Sequence, residues 1–221
     1  MNTLIKNIEK LKNDIREACE TSNRDPKQVE LLPVSKHQPL NIIQEAATLG
    51  FTKFGENYVQ EGAQKLNLDH NLKFVLIGPL QGNKVKQALT TFREIMTVDR
   101  PTLVERLERM TEQLDTMCAV WVQVNLWGEI TKQGGCNSSE LKVILQMLGN
   151  NPRLPVQGFM AIPPPMDTQA FHTMAKLRDM WQQKLSRSLR LSMGMSTDFK
   201  QAIENGSDQI RIGTAFFGTR C

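Results

Sequence analysis

The chain has 221 residues, and its 27 lysines and arginines against 23 aspartates and glutamates give a formal charge of +4. Its hydrophobic content of 40% and charged content of 23% are typical of a folded globular protein and exclude a disordered or collagen-like chain. The small net charge, the 6% of aromatic residues and the lack of a basic cluster argue against a nucleic-acid-binding surface.

The location of the protein follows from its apolar segments and its cysteines. No apolar run approaches the ~20 residues that a membrane-spanning helix needs. Residues 1–15 mix Lys and Glu with apolar residues, unlike a secretory signal. We therefore expect a cytoplasmic protein without membrane contact. The cysteines form no CxxC pair, which predicts free thiols and neither a zinc site nor a disulfide framework; they are Cys19, Cys118, Cys136 and Cys221.

Hydrophobic periodicity predicts the elements in chain order. Apolar residues at 4, 8, 11 and 15 form one stripe of an N-terminal helix. Short apolar runs typical of buried strands then alternate with helical patterns. The predicted strands are 29–35, 51–54, 74–77, 94–98, 117–125, 156–161, 190–192 and 209–212. The predicted helices are 42–50, one beginning near Tyr58, 84–89, 101–110, 139–148, 168–185, 197–205 and 214–217.

Eight strand-then-helix units predict an α/β protein with a parallel sheet covered on both faces. Eight is the number of units in a closed (β/α)8 TIM barrel, which we expect to be one domain over residues 1–221. The alternative is an open doubly wound sheet, but the first strand-to-helix turn, residues 32–39, has no glycine-rich loop. Pro33 inside the first strand predicts a bulge there, or a strand that begins after it.

In such a barrel, functional residues follow the carboxyl ends of the strands, and phosphate often binds after the last two. The segment 192–196 is rich in small residues and opens onto a helix, and Ser196 adds a hydroxyl donor. Gly213 and Thr214 follow the eighth strand, next to the cation of Arg211. Together these two loops predict a binding site for a phosphate dianion.

Lys36 follows the first apolar strand, at the end where chemistry is expected. Burial and neighbouring cations favour the neutral amine, which attacks carbonyl groups. A lysine that forms a Schiff base beside a phosphate site indicates a phosphorylated aldehyde. Pyridoxal phosphate and sugar-phosphate substrates both fit that description.

Several segments, in order and at matching spacing, carry a family likeness. They are Val34-Ser35-Lys36, residues 54–61 (FGENYVQE), 77–81 (IGPLQ), 160–163 (MAIP), 191–196 (LSMGMS) and 210–214 (IRIGT). In these segments the chain resembles the YggS-like pyridoxal phosphate homeostasis proteins, and the likeness covers nearly the whole sequence.

The resemblance implies a barrel like the alanine racemase N-terminal domain, the fold of the type III pyridoxal phosphate proteins. It implies that pyridoxal 5'-phosphate (PLP) is held as a covalent aldimine, a Schiff base on Lys36. Asn57 would line the cofactor pocket, while Ser196, Gly213 and Thr214 would hold the phosphate. Arg211 resembles the arginine that approaches the pyridine ring.

An arginine at the ring nitrogen does not donate a full proton, so the ring is a weaker electron sink and carbanion chemistry is less favoured. The resemblance therefore implies a PLP-binding protein of intracellular PLP (vitamin B6) homeostasis, without a catalytic residue or a metal. Recipient PLP enzymes are its candidate partners, and we expect a monomer.

Two enzymatic alternatives stay open. A racemase-like PLP enzyme needs a second acid/base, which here is Tyr58 or a cysteine. In a sugar-phosphate aldolase, Lys36 would attack the substrate instead of a cofactor. The chain also departs from the family at three positions: Val75 stands where a histidine is usual, Gly82 where serine is common, and Pro33 where a small residue precedes the lysine.

Overall fold

A computed structural model describes residues 3–127, 134–149, 151–164 and 167–218 of the chain. The strands are β1 Glu30–Pro33, β2 Lys53–Glu56, β3 Lys73–Leu76, β4 Glu94–Val98, β5 Ala119–Val124, β6 Val156–Ala161, β7 Arg190–Ser192 and β8 Gln209–Ile212. The α-helices are α1 Thr3–Thr21, α2 Leu40–Thr48, α3 Val59–Leu68, α4 Val85–Thr91, α5 Pro101–Gln113, α6 Ser138–Leu148, α7 Thr168–Leu185, α8 Phe199–Glu204 and α9 Thr214–Phe217. Short 3-10 helices lie at Pro26–Gln28 and Gly82–Lys84.

The predicted alternation of strands and helices is confirmed, and the differences lie at element ends. The stripe of Leu4, Ile8, Leu11 and Ile15 is buried, as an amphipathic helix requires, and α1 continues to Thr21. Helix α8 begins at Phe199 instead of residue 197, because residues 196–198 form a turn before it.

The chain divides into two compact units. The terminal unit comprises Met1–Phe54 and Ile162–Cys221, and the central unit comprises Gly55–Ala161. Lys36 and the two predicted phosphate-binding loops belong to the terminal unit, whereas Asn57 belongs to the central unit. The expectation of a single domain over residues 1–221 stays a prediction.

In the terminal unit, β8 lies between β1 and β7, and all three strands are parallel. The β1–β8 register runs unbroken from Glu30 opposite Gln209 to Pro33 opposite Ile212. The prediction of a bulge at Pro33, or of a strand beginning after it, is therefore wrong. Glu30 N donates to Asp208 O, directly before β8, over 2.9 Å, and Val34 N donates to Ile212 O of β8 over 2.8 Å. Alternate residues face opposite edges of a strand, so the nitrogen of Pro33 faces away from β8 and no hydrogen bond to β8 is lost.

In the central unit, β3, β4, β5 and β6 are adjacent in that order and parallel. Ile77 N donates to Glu56 O over 2.9 Å, which ties the end of β3 to the end of β2. Trp121 of β5 is fully buried, and its Nε1 donates to Glu94 Oε1 over 2.7 Å. Strands β4 and β5 are buried along almost their whole length, which explains their continuous apolar sequence.

Within the described ranges, no helix combines the length and the hydropathy needed to cross a membrane. The thiol prediction holds for Cys19, Cys118 and Cys136, which are free and buried, while Cys221 lies outside the described residues.

A buried ion-pair cluster holds β2 and α3 together in the central unit. Lys65 Nζ lies 2.7 Å from Glu56 Oε1 and 2.7 Å from Glu61 Oε1. The Glu56 side chain is 0% exposed and that of Lys65 is 9% exposed. Charges this poorly solvated depend on their partners, since removing one leaves the other buried and uncompensated.

We expect Lys65→Met to lower the free energy of unfolding by about 3–5 kcal/mol, because it leaves the buried Glu56 carboxylate without this cation. The measurement is urea unfolding followed by circular dichroism. The control is Lys10→Met, which removes an ion pair to Asp14 from a lysine side chain that is 76% exposed. Its expected effect is below about 0.5 kcal/mol. Equal effects of the two changes would contradict a stabilising role for the buried cluster.

Candidate functional site

Lys36 lies in a tight turn directly after β1. Gln38 N donates to Ser35 O over 3.0 Å and closes the turn around Lys36 and His37. His37 adopts a left-handed backbone with φ 61°, which is uncommon for a residue with a side chain. Lys36 itself is half-buried. The turn thus holds the lysine at the carboxyl end of β1, where the barrel reasoning places chemistry.

The loop after β7 is fixed by the close approach of Gly194 to α8. Gly194 has φ +99°, and a Cβ there would lie 2.6 Å from Ala202 Cβ. The buried Asp198 carboxylate accepts a 2.6 Å hydrogen bond from Met195 N, and Arg211 N donates to Gly194 O over 3.0 Å. These contacts tie the loop both to α8 and to β8.

The loops after β7 and β8 meet, as their sequences predict. Ala215 N, in the first turn of α9, donates to Ser196 Oγ over 3.3 Å. Gly213 and Thr214 directly precede Ala215, so Ser196, Gly213 and Thr214 lie together. A Cβ on Gly213 would lie 3.6 Å from Val34 O, so the same place adjoins the end of β1, two residues before Lys36.

Arg211 is a buried cation on β8. Its Nη1 donates to Ser192 Oγ over 2.8 Å, and its side chain is close enough to Asp198 to feel that charge. Burial lowers the pKa of the guanidinium to about 10, and the attraction of Asp198 opposes this shift. Arg211 therefore keeps its charge at neutral pH.

Asn57 follows β2 in the central unit and is half-buried. Gly78 packs against its backbone so closely that a Cβ at position 78 would collide with Asn57 O. The assignment of Asn57 to a cofactor pocket stays a prediction. Sequence reasoning missed the ion pairs beside it, although the four-residue spacing of Glu61 and Lys65 on α3 is a recognisable signal.

Two of the three departures from the family pattern, Val75 and Gly82, lie in the central unit. Val75 is 2% exposed in β3. Gly82 packs against the guanidinium of Arg106, because a Cβ at position 82 would collide with Arg106 Nη1. Glycine instead of serine therefore makes room for Arg106. Nothing in the structure explains the loss of the histidine at position 75.

Comparison with known proteins gives the family. Residues 7–221 match the family of the alanine racemase N-terminal domain. The pyridoxal phosphate homeostasis protein of Pseudomonas aeruginosa is 38% identical over 224 aligned positions, which cover 100% of this chain and 97% of that protein. The chain belongs to the pyridoxal phosphate homeostasis protein family. The resemblance inferred from the sequence segments is thereby confirmed.

Solved structures of PipY and of alanine racemase show the fold. PipY of Synechococcus elongatus PCC7942 is 31% identical, and its structure without PLP has a TM-score of 0.83 over 92% of this chain and 99% of PipY. Its structure with PLP bound has a TM-score of 0.79 over 93% of this chain and 100% of PipY. Alanine racemase of Clostridium difficile 630, at 12% identity, has a TM-score of 0.74 over 98% of this chain and 56% of the racemase. The predicted (β/α)8 barrel is confirmed.

The two glycines of the candidate site should differ in their effect on stability. At Gly194, a methyl group meets both a positive φ and the Ala202 side chain, so we expect Gly194→Ala to lower the free energy of unfolding by about 2–4 kcal/mol. At Gly213, φ is −101° and the new methyl group meets Val34 only at ordinary contact distance. We expect Gly213→Ala to change the stability by less than about 1 kcal/mol. Thermal or urea unfolding of both variants measures the difference, and a larger loss at Gly213 would contradict this packing.

Proposed function

We propose that this chain binds PLP covalently through the Lys36 amine and carries it in cytoplasmic PLP homeostasis, without catalysing a reaction. Two findings support the proposal: the curated relatives are named pyridoxal phosphate homeostasis proteins, and PipY has been solved with PLP bound. The observation that carries it is the 3.3 Å hydrogen bond between Ala215 N and Ser196 Oγ, which brings the two phosphate-binding loops together beside the end of β1.

The residues of this loop junction fit a phosphate group. Ser196 is half-buried and offers a hydroxyl, and Thr214 offers a second, exposed one. Neither of the two usual structural reasons for a glycine applies to Gly213. Its φ is −101°, which is not positive, and a Cβ there would make only ordinary contacts. Folding alone therefore does not require glycine at this position. A glycine here lets a ligand approach the backbone closely, as phosphate sites demand.

Lys36 and Arg211 complete the fit. When bound, PLP supplies an aldehyde that condenses with an amine and an electron-poor pyridine ring. Lys36, in the turn after β1, provides the amine. Arg211, with a pKa of about 10, stays protonated near neutral pH and therefore places a positive charge on the ring side without releasing a proton.

The candidate second bases of a racemase are poorly suited to the task. Burial, reinforced by Glu94, raises the pKa of Cys118 to about 12. Burial, with Glu140 and Asp99, raises the pKa of Cys136 to about 12 as well. Both thiols are thus protonated at neutral pH. Tyr58 is 51% exposed to solvent, whereas an acid/base that works against a bound cofactor is held in a shielded site. These properties favour carriage over racemisation.

The first test is the visible absorption spectrum of the protein with added PLP. We expect a visible Schiff-base absorption band in the parent protein and not in Lys36→Ala, because the proposal makes the Lys36 amine the anchor of the cofactor. Borohydride reduction followed by peptide mapping should place the cofactor on Lys36.

The control for this test is Lys27→Ala, which removes an exposed lysine of the same unit and should keep the band. A parent protein that gains no band would contradict PLP binding and favour the aldolase reading, in which Lys36 attacks a sugar phosphate. Exchange of the α-proton of an added amino acid, lost in Lys36→Ala, would instead support the racemase-like alternative.

A second test separates the phosphate site from the lysine. We expect Gly213→Ala to weaken PLP binding by about tenfold or more, because the methyl group stands where the phosphate must approach the backbone. Its stability should be nearly unchanged, so the loss cannot be assigned to unfolding. Affinity is measured by fluorescence titration of the cofactor-free protein. Affinity for pyridoxal, which lacks the phosphate, should change much less, and equal losses for both compounds would contradict this assignment.

A further inference from the structure

Three polar side chains lie next to one another inside the terminal unit, on β7 and β8. Ser192 and Gln209 are fully buried, and Arg211 is 5% exposed. Arg211 Nη1 donates to Ser192 Oγ over 2.8 Å, and Ser192 Oγ donates to Gln209 Oε1 over 2.9 Å. We refer to Ser192, Gln209 and Arg211 as the arginine relay.

The hydrogen bond between Arg211 and Ser192 can have only one direction. A guanidinium donates hydrogen bonds and accepts none, so the Ser192 hydroxyl must be the acceptor of the Arg211 bond. The single hydroxyl proton of Ser192 then points to Gln209, whose carbonyl oxygen is the acceptor at the end of the chain.

The relay faces away from the helices. A Cβ on Gly194 would approach both Ala202 of α8 and Ile210 of β8, so Ile210 points to the helix side. Alternate residues of a strand point to opposite faces, which places Gln209 and Arg211 on the other face. Arg211 is therefore held on the face of β8 where a (β/α)8 barrel has its interior.

The buried side chain of Gln209 lowers the stability of the fold. Its Nε2 is buried and, among the described residues, has no hydrogen-bond partner. A methionine or leucine would fill a similar volume without leaving a buried donor unpaired. Burying the Arg211 charge is costly too. A buried polar group with such a cost to stability indicates a role beyond packing.

We propose that Ser192 and Gln209 are positioning residues that hold the Arg211 guanidinium against the pyridine nitrogen of bound PLP. This inference rests on the proposed function and adds two residues to it. Gln209 is a neutral amide, so it adds no negative charge beside Arg211. A carboxylate at position 209 would add one. The positive charge of Arg211, which Asp198 also attracts, opposes protonation of the ring nitrogen and keeps the cofactor a poor electron sink.

The test compares PLP with its 1-deaza analogue, in which a C–H group replaces the ring nitrogen. We expect Ser192→Ala to weaken the binding of PLP by about tenfold, because Arg211 loses the acceptor that orients it. The affinity for the analogue should stay within about twofold, since the analogue offers no ring nitrogen to Arg211. A residue with a merely structural role would affect both ligands equally, so this difference identifies positioning.

A charge change at the end of the relay gives an independent readout. We expect Gln209→Glu to shift the absorption maximum of bound PLP, because a carboxylate there partly cancels the field of Arg211 at the ring. The matched control is Gln169→Glu, the same substitution at an exposed position of α7, which should leave the spectrum unchanged. If Gln209→Glu does not fold, as circular dichroism would show, the Ser192→Ala comparison still decides.

The outcomes separate this inference from the proposed function. If the parent protein forms no band with PLP, the proposed function is wrong. If the parent binds PLP on Lys36 but Ser192→Ala changes neither affinity, or changes both equally, only the arginine relay is wrong.

Discussion

The parallel ladder between β1 and β8 is the constraint on which the candidate site depends. It joins residues about 180 positions apart in the chain, with Glu30 opposite Gln209 and Pro33 opposite Ile212. Because the ladder is parallel, the carboxyl ends of both strands lie at one edge, with Lys36 after β1 and Gly213 after β8. The hydrogen bond from Val34 N to Ile212 O, at 2.8 Å, carries this pairing to the start of the loops. A proline is tolerated in β1 because its nitrogen does not face β8.

Buried charge is handled in two different ways in this protein. Lys65 meets two carboxylates at 2.7 Å, so its charge is compensated and the cluster holds β2 to α3. Arg211 instead donates from Nη1 to a neutral hydroxyl, and burial lowers its pKa without removing its charge at neutral pH. In the proposed function, the Ser192 hydroxyl orients the Arg211 guanidinium towards the ligand, whereas the carboxylates around Lys65 hold two elements of the fold together.

The elements were predictable from sequence because each one depends on local patterns, namely apolar periodicity and helix-terminal residues. The meeting of Ser196 with the start of α9 was predictable as well, because the order of strands in a barrel fixes which loops are neighbours. The bonds from Ser192 to Gln209 and Arg211 were not, since a sequence does not reveal which residues of two strands become opposite. From the sequence, Gly82 is recognisable only as a departure from the family pattern. The structure shows that it packs against Arg106.

Carriage and catalysis by a PLP protein differ in what surrounds the same Schiff-base lysine. Catalysis on amino acids needs a ring that accepts electrons and a second group that moves protons. In the proposed site, Arg211 places a fixed charge where the first requirement calls for a proton, and the buried thiols of Cys118 and Cys136, with pKa values of about 12, do not meet the second. The proposal then leaves a lysine to hold an aldehyde reversibly and two loops to hold a phosphate. Those are the properties a carrier needs, because a cofactor that reacts with its surroundings cannot be delivered intact.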